Sequence, residues 1–129
     1  MRPVSTFSLR RQETKRGTAQ LYAAGAEIGP IPGEVIEAQY CCSAGLLIIT
    51  SYDVPFEEEL CFSLRAKSSF KLLDEMTLGL PYTPGTFDKP VVSEPEALLF
   101  SFFGGDRWRL EVFARPRMIL TENWFGAAR

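Results

Sequence analysis

Histidine is absent from this sequence of 129 residues. Without an imidazole, nucleophilic catalysis by Ser-His or Cys-His pairs is excluded, because those nucleophiles need an adjacent base. Zinc sites that combine cysteine with histidine are excluded as well. The chemistry that remains rests on carboxylates, thiols, hydroxyls and cationic side chains.

Cysteine is scarce, and the chain holds only Cys41, Cys42 and Cys61. An odd number with two adjacent members is not a disulfide framework. On a strand, Cys41 and Cys42 point to opposite faces, so they cannot easily share a metal ion. We therefore expect reduced, packed thiols in a reducing compartment, with no metal site and no cofactor.

Long apolar runs and nucleotide-binding motifs are missing too. No stretch approaches the length of an apolar transmembrane helix, and the first residues lack the apolar core of a secretory signal. Neither a Walker-type glycine-lysine motif nor a Gly-x-Gly-x-x-Gly motif occurs. These features predict a bacterial-type cytoplasmic protein without a membrane span.

What the sequence does have is the composition of one globular domain. Apolar residues make up 46% and charged residues 23%, which are ordinary values for a folded domain. A chain of this length buries a sufficient core without a disulfide or a metal. The aromatic share of 12%, with ten phenylalanines, favours β structure, because aromatic side chains fit pleated, half-buried surfaces.

Charge is unevenly distributed along the chain. Residues 1–18 carry five basic side chains and one acidic side chain, whereas residues 19–129 carry nine basic and fifteen acidic ones. This pattern predicts a flexible basic arm over 1–18, followed by a single β domain over 19–129. The domain is a poor candidate for nucleic-acid binding, which needs clustered Lys and Arg to neutralise phosphates.

Alternating apolar and polar residues predict about six to eight strands joined by hairpins. The clearest hairpin joins 97–103 to 107–113 through a glycine-rich turn, and the run 45–50 is apolar on both faces, as in a central strand. We expect an all-β fold, a small antiparallel barrel or sandwich. Further strands are expected over 34–41, 60–66 and 70–76 (the last with a helix as the alternative), a loop over 23–33 and a turn-rich connection over 79–90.

A run of carboxylates is the first candidate site, formed by Asp53, Glu57, Glu58 and Glu59. Paired carboxylates can perform general acid and base catalysis, as in glycosidases. Charge runs are more often solvated loops, and an acidic loop is also a docking surface for a basic partner.

Two arginines and two aromatic residues complete the candidate binding residues. Arg107 and Arg109 share the outward face of one strand, where they bind an acidic partner or pair with carboxylates of a neighbouring strand. The run 98–103 is apolar on both faces, so it needs a cover on each side or forms an interface. Trp124 and Phe125 are candidates for that cover, within the chain or in a homodimer, and Thr121 is the expected cap of a short C-terminal turn or helix.

The absence of a visible catalytic constellation favours a non-enzymatic protein-interaction module, of an accessory or immunity-like kind. Its partner is another protein or a second copy of the chain. One alternative is a carrier of apolar small molecules in an aromatic-lined barrel. A second alternative is a hydrolase that uses the carboxylates near Asp53 and Glu57.

Overall fold

The computed structural model describes residues 1–11, 17–52, 59–79, 85–104 and 106–122. All regular secondary structure within these ranges is β-strand. Twelve strands are present there, whereas six to eight were expected. In chain order they are β1 (Arg2–Pro3), β2 (Phe7–Arg11), β3 (Thr18–Ala23), β4 (Ala26–Pro32), β5 (Val35–Cys41), β6 (Leu46–Ser51), β7 (Glu59–Arg65), β8 (Leu72–Gly79), β9 (Asp88–Ser93), β10 (Ala97–Ser101), β11 (Trp108–Phe113) and β12 (Arg117–Glu122).

The strands form three antiparallel sheets. The central sheet has the order β1-β5-β6-β7-β8, the four-stranded sheet has the order β12-β11-β10-β9, and the three-stranded sheet has the order β2-β3-β4. Most neighbouring strands are consecutive in the chain, as expected for hairpin connections. The prediction of an all-β antiparallel fold is confirmed, and the described residues are arranged like a sandwich rather than a closed barrel.

The central sheet is covered on both faces. Ile49 of β6 lies in one core with Phe100 of the four-stranded sheet, whereas Ile48 lies in a second core with Leu21 of the three-stranded sheet. All six residues of β6 are buried. This confirms the expected central strand over 45–50, because a strand covered on both sides needs apolar residues at successive positions.

The beginning of the chain differs from the expected arm over 1–18. Arg2–Pro3 pairs with β5, and Phe7–Arg11 pairs with β3. Phe7 is only 5% exposed, and its main-chain N–H and carbonyl both bond the Gln39 side-chain amide at 2.9 Å. One buried aromatic ring with a fully satisfied backbone is enough to hold a short edge strand in place. The boundary at residue 18 stays a prediction.

The expected loop over 23–33 is wrong for residues 26–32, which form β4. The strand is at the edge of its sheet, where Pro30 and Pro32 are tolerated because an edge strand leaves half of its donors unpaired in any case. Gly29, with φ of 143°, lies where the pairing of β3 and β4 shifts register. The glycines and prolines therefore mark a bulged edge strand here, not the end of regular structure.

Strands β9 and β12 also replace irregular structure expected from the sequence. The turn-rich connection over 79–90 gives way to β9 at Asp88, and Pro90 is accommodated because β9 is an edge strand. Thr121, expected to cap a turn or helix, instead lies in β12 opposite Arg109. The alternation that places Met118 in the core continues to this residue and keeps it in the sheet.

The predicted strand over 70–76 and the predicted hairpin of β10 and β11 are both present. Asp106 organises the hairpin turn, because its carboxylate accepts the main-chain N–H groups of Phe102 at 3.1 Å and Phe103 at 2.9 Å. The same carboxylate accepts the indole N–H of Trp108. Within the described residues, no helix is both long and apolar enough to cross a membrane.

Candidate functional site

One face of the four-stranded sheet packs on the central sheet, and the side chains of its opposite face form two rows across all four strands. Residues directly opposite each other on antiparallel strands share a face. The first row is Val91, Leu99, Arg109 and Thr121, and the second row is Ser93, Ala97, Glu111 and Ile119. These eight residues, with Phe113 one row further along β11, are called the outer face below.

Large apolar side chains of the outer face are open to solvent. Val91 is 52% exposed, Ile119 42% and Phe113 39%, and Leu99 is half-buried beside them. Single exposed apolar residues are ordinary on a protein surface, whereas several on one flat sheet face are typical of a binding surface. The outer face therefore exposes three large apolar side chains on one side of the sheet.

An ion pair divides the outer face. Arg109 Nε lies 3.3 Å from Glu111 Oε1, and the other end of the guanidinium donates to the main-chain oxygen of Glu94 at 3.2 Å. Ala97 of β10 is opposite Glu111 on the same face and is fully buried.

The pairing of Arg109 differs from the one expected. The sequence favours a carboxylate on a neighbouring strand, but Glu111 is two residues further along the same strand. A half-buried pair that still faces solvent contributes little to stability. It does place a cation and an anion side by side at the centre of an apolar surface, which gives the face a defined polarity.

The free edge of the same sheet is less suited to binding. β9 is the edge strand, and an unpaired edge invites strand addition by other chains. Lys89 has a positive φ of 50°, Pro90 lacks a donor, and the pairing with β10 shifts register between Leu99 and Ser101. Such irregularities discourage edge-to-edge pairing, so the face rather than the edge is the accessible surface.

The structure places only part of the predicted binding residues. Arg107 is half-buried and donates to the Ser101 hydroxyl at 3.4 Å, so it supports the hairpin end and stands apart from the two rows. Glu59 begins β7 opposite Gly79, half-buried. The other predicted residues lie outside the described residues, namely Asp53, Glu57, Glu58, Trp124 and Phe125.

Sequence reasoning identified Leu99 only as part of the run 98–103 that is apolar on both faces, and it did not identify Val91 or Ile119. Val91 follows a proline, which made the surrounding segment resemble a connection. Ile119 lies between Met118 and Leu120, so an apolar triplet hid the alternation of inward and outward positions. The pairing of Ile119 with Glu111 reveals its outward direction, and that pairing is a long-range property.

A cavity of about 270 Å³ lies on the opposite face of the central sheet, where Pro32 of β4 approaches β7 and β8. Its polar lining comes from Ser63, Glu75, Thr77 and Cys61. Burial raises the pKa of the Cys61 thiol, which donates to the Tyr52 hydroxyl at 3.8 Å. A protonated, buried thiol is a poor nucleophile, so Cys61 is not activated for covalent chemistry.

Several aromatic side chains of the core pack against each other. Phe100 contacts Phe62 and Phe87, with ring centroids 5.8 and 5.2 Å apart, in tilted arrangements. Such contacts fill a core at native density. The carrier hypothesis, which needs an aromatic-lined interior space, gains no support from this packing.

Within the described ranges, no three Asp, Glu or Cys side chains lie close enough together to hold a metal ion. Comparison of the chain with protein-family models, curated protein sequences and solved structures finds no match. The case for a function therefore rests on the geometry of the outer face.

Proposed function

We propose that the chain is a non-enzymatic protein-binding module whose binding surface is the outer face of the four-stranded sheet. The observation that carries the proposal is the exposure of Val91, Phe113 and Ile119 around the ion pair of Arg109 and Glu111. When a partner buries apolar side chains, the free energy of the complex falls by about 25 cal/mol per Å² of apolar area removed from water.

The shape of this surface favours a protein over a small molecule. A sheet face presents a broad, nearly flat area, whereas small ligands bind in concave sites that enclose most of their surface. The strands beneath the face are fixed by the sandwich core, so the surface is preorganised. Preorganisation lowers the entropy lost when a partner docks.

The polar content of the face supports a specific partner. Arg109 and Glu111 partly neutralise each other, and a partner that presents an acidic and a basic group at matching positions gains specificity when it covers them. Arginine is also enriched where proteins bind each other. The accessory or immunity-like role is one form of such a module and stays a hypothesis.

Site-specific photo-crosslinking in a lysate of the source cells tests the proposal. A photoreactive phenylalanine analogue replaces Ile119 on the outer face, and the matched control replaces Leu72 of β8, which is 39% exposed against 42% for Ile119. We expect a discrete crosslinked protein band from position 119 and none from position 72. No band from position 119, or the same bands from both positions, would contradict the proposal.

A further inference from the structure

The two rows of the outer face are complementary to each other. Each strand places a larger or cationic residue in one row and a smaller or anionic residue in the other. The larger residue is in the first row on β9, β10 and β11, and in the second row on β12. The four pairs, each two residues apart on one strand, are Val91 with Ser93, Leu99 with Ala97, Arg109 with Glu111, and Ile119 with Thr121.

We infer that the partner of the outer face is the same face of a second copy, related by a two-fold axis that lies between the two rows and runs across the strands. This inference rests on the proposed function. Rotation about such an axis exchanges the rows while each strand faces its own equivalent. Every contact between the two copies then occurs twice, once in each direction, as an isologous interface requires.

The ion pair becomes reciprocal under this rotation. Arg109 of one copy faces Glu111 of the other, and Glu111 faces Arg109, so four charges alternate at the centre of the interface. Each guanidinium keeps its main-chain contact to Glu94 while it gains a second carboxylate. The arrangement supplies the counter-charges that desolvation of the pair demands.

The apolar positions fit the same rotation by size. Ile119 of one copy lies over Thr121 of the other, and Val91 lies over Ser93, so no two large side chains meet head-on. Facing sheets pack in this interdigitated way, with mean strand directions about 30° apart. The axis therefore runs close to, but not exactly at, a right angle to the strands.

The area of the face sets the strength of the dimer. Strands are about 4.8 Å apart and rise about 3.3 Å per residue, so four strands of about six residues cover about 400 Å² per copy. Stable interfaces bury about 800 Å² per partner, and smaller ones are transient. We expect a dimer whose population depends on concentration in the micromolar to millimolar range.

Charge-reversal variants test the registry directly. Arg109→Glu gives the face two anions and Glu111→Arg gives it two cations, so each variant repels itself in the proposed arrangement. An equimolar mixture of the two variants restores both attractive contacts. Lys71→Glu, at an exposed position before β8, is the matched charge-reversal control.

Sedimentation velocity on the purified full chain gives the readout, with circular dichroism to verify that each variant is folded. We expect the unchanged chain and the Lys71→Glu control to dimerise as the concentration rises towards about 1 mM. Each outer-face variant alone should raise the dissociation constant at least about tenfold, because like charges then meet. The mixture should recover heterodimers close to the original affinity.

Two results would overturn the inference. One is an unchanged chain that stays monomeric at about 1 mM; the other is a pair of single variants that dimerise as well as the unchanged chain. If the chain is monomeric but still crosslinks another protein from position 119, the dimer inference fails and the proposed protein-binding function is retained. A monomeric chain without any crosslink would remove both.

Discussion

The main-chain N–H of Met118 in β12 donates to Asp74 Oδ2 in β8 at 2.8 Å. This contact joins an edge strand of the four-stranded sheet to an edge strand of the central sheet, where the sandwich would otherwise be open. Asp74 also accepts the N–H of Glu75 through its other oxygen, at 3.0 Å. A half-buried carboxylate with two main-chain donors fixes how the sheet carrying the outer face is positioned.

Removal of this carboxylate should destabilise the fold. We expect Asp74→Ala to lower the free energy of unfolding by about 1–3 kcal/mol, since a charge-assisted hydrogen bond is lost and the N–H of Met118 is left without its acceptor. Urea unfolding followed by circular dichroism measures the change. Asp88→Ala on the exposed edge strand β9 is the control and should change it by less than about 0.5 kcal/mol; equal effects at both positions would refute the role of Asp74.

The sequence predicts those parts of the fold that local pattern controls. The double-sided apolar run of β6 and the glycine-rich hairpin of β10 and β11 were evident because burial and turn chemistry act within a few residues. The edge strands β4 and β9 were not, since Pro30 and Pro90 read as breaks unless the strand is known to be at an edge. Whether a strand lies at the edge of a sheet depends on the order of the strands, and the local sequence pattern does not reveal that order.

The candidate site was predictable in its charged residues and in the run 98–103, which is apolar on both faces. Arg109 was identified as outward-facing because β11 alternates cleanly between inward and outward residues. Val91 and Ile119 become part of the same surface only through their pairing with β10 and β11. A surface assembled from four strands is therefore only partly visible in the sequence, because the pairing of those strands is a long-range property.

A methyl group at Gly45 should be poorly tolerated. The Cβ that alanine adds would collide with the main-chain oxygen of Arg65, which cannot move without disturbing β7. We expect Gly45→Ala to cost about 2–3 kcal/mol of unfolding free energy, as for overpacking at a rigid site.

Gly104→Ala provides the comparison, because its φ of 78° is strained but the space around it is open. That variant should lower the free energy of unfolding by about 1–2 kcal/mol, because a left-handed conformation is unfavourable by this amount for a residue with a Cβ. Thermal unfolding of both variants measures the difference. A Gly45→Ala protein as stable as the unchanged chain would show that β7 can shift.

Stability should fall in acid through Glu96. Burial alone would raise the pKa of Glu96, but the Met1 ammonium group at 2.6 Å and the main-chain N–H of Ser43 at 2.5 Å outweigh it and lower the pKa to about 2. A carboxyl whose pKa is lowered on folding stabilises the fold above its unfolded value of 4.5, and that contribution disappears as pH falls towards 2.

Urea unfolding of the unchanged chain and of Glu96→Gln between pH 7 and pH 2 checks this. The variant should be less stable at pH 7, and the two curves should converge below pH 4.5. If the difference in unfolding free energy between the two proteins stayed constant from pH 7 to pH 2, protonation of Glu96 would not be coupled to folding.

The three cysteines should differ in reactivity. Burial raises the pKa of Cys42 to about 12, and Cys42 and Cys61 are each 2% exposed, whereas Cys41 is half-buried. Because the thiolate is the reactive form, iodoacetamide at pH 8 should alkylate Cys41 well before the other two. Peptide mass spectrometry over a time course measures the order, and denatured protein, in which all three react alike, is the control. Early labelling of Cys42 would contradict the described packing.

Mass spectrometry of the protein, chemically crosslinked inside its source cells before capture so that weak complexes are retained, tests most directly whether the outer face binds a protein. The same capture is made with a Val91→Lys, Ile119→Lys double variant, which keeps the sheet but makes the face cationic. The account predicts a stoichiometric complex, with a second copy or with another protein, that the double variant loses. A bare monomer in both samples, or a complex that survives the double variant unchanged, would contradict it.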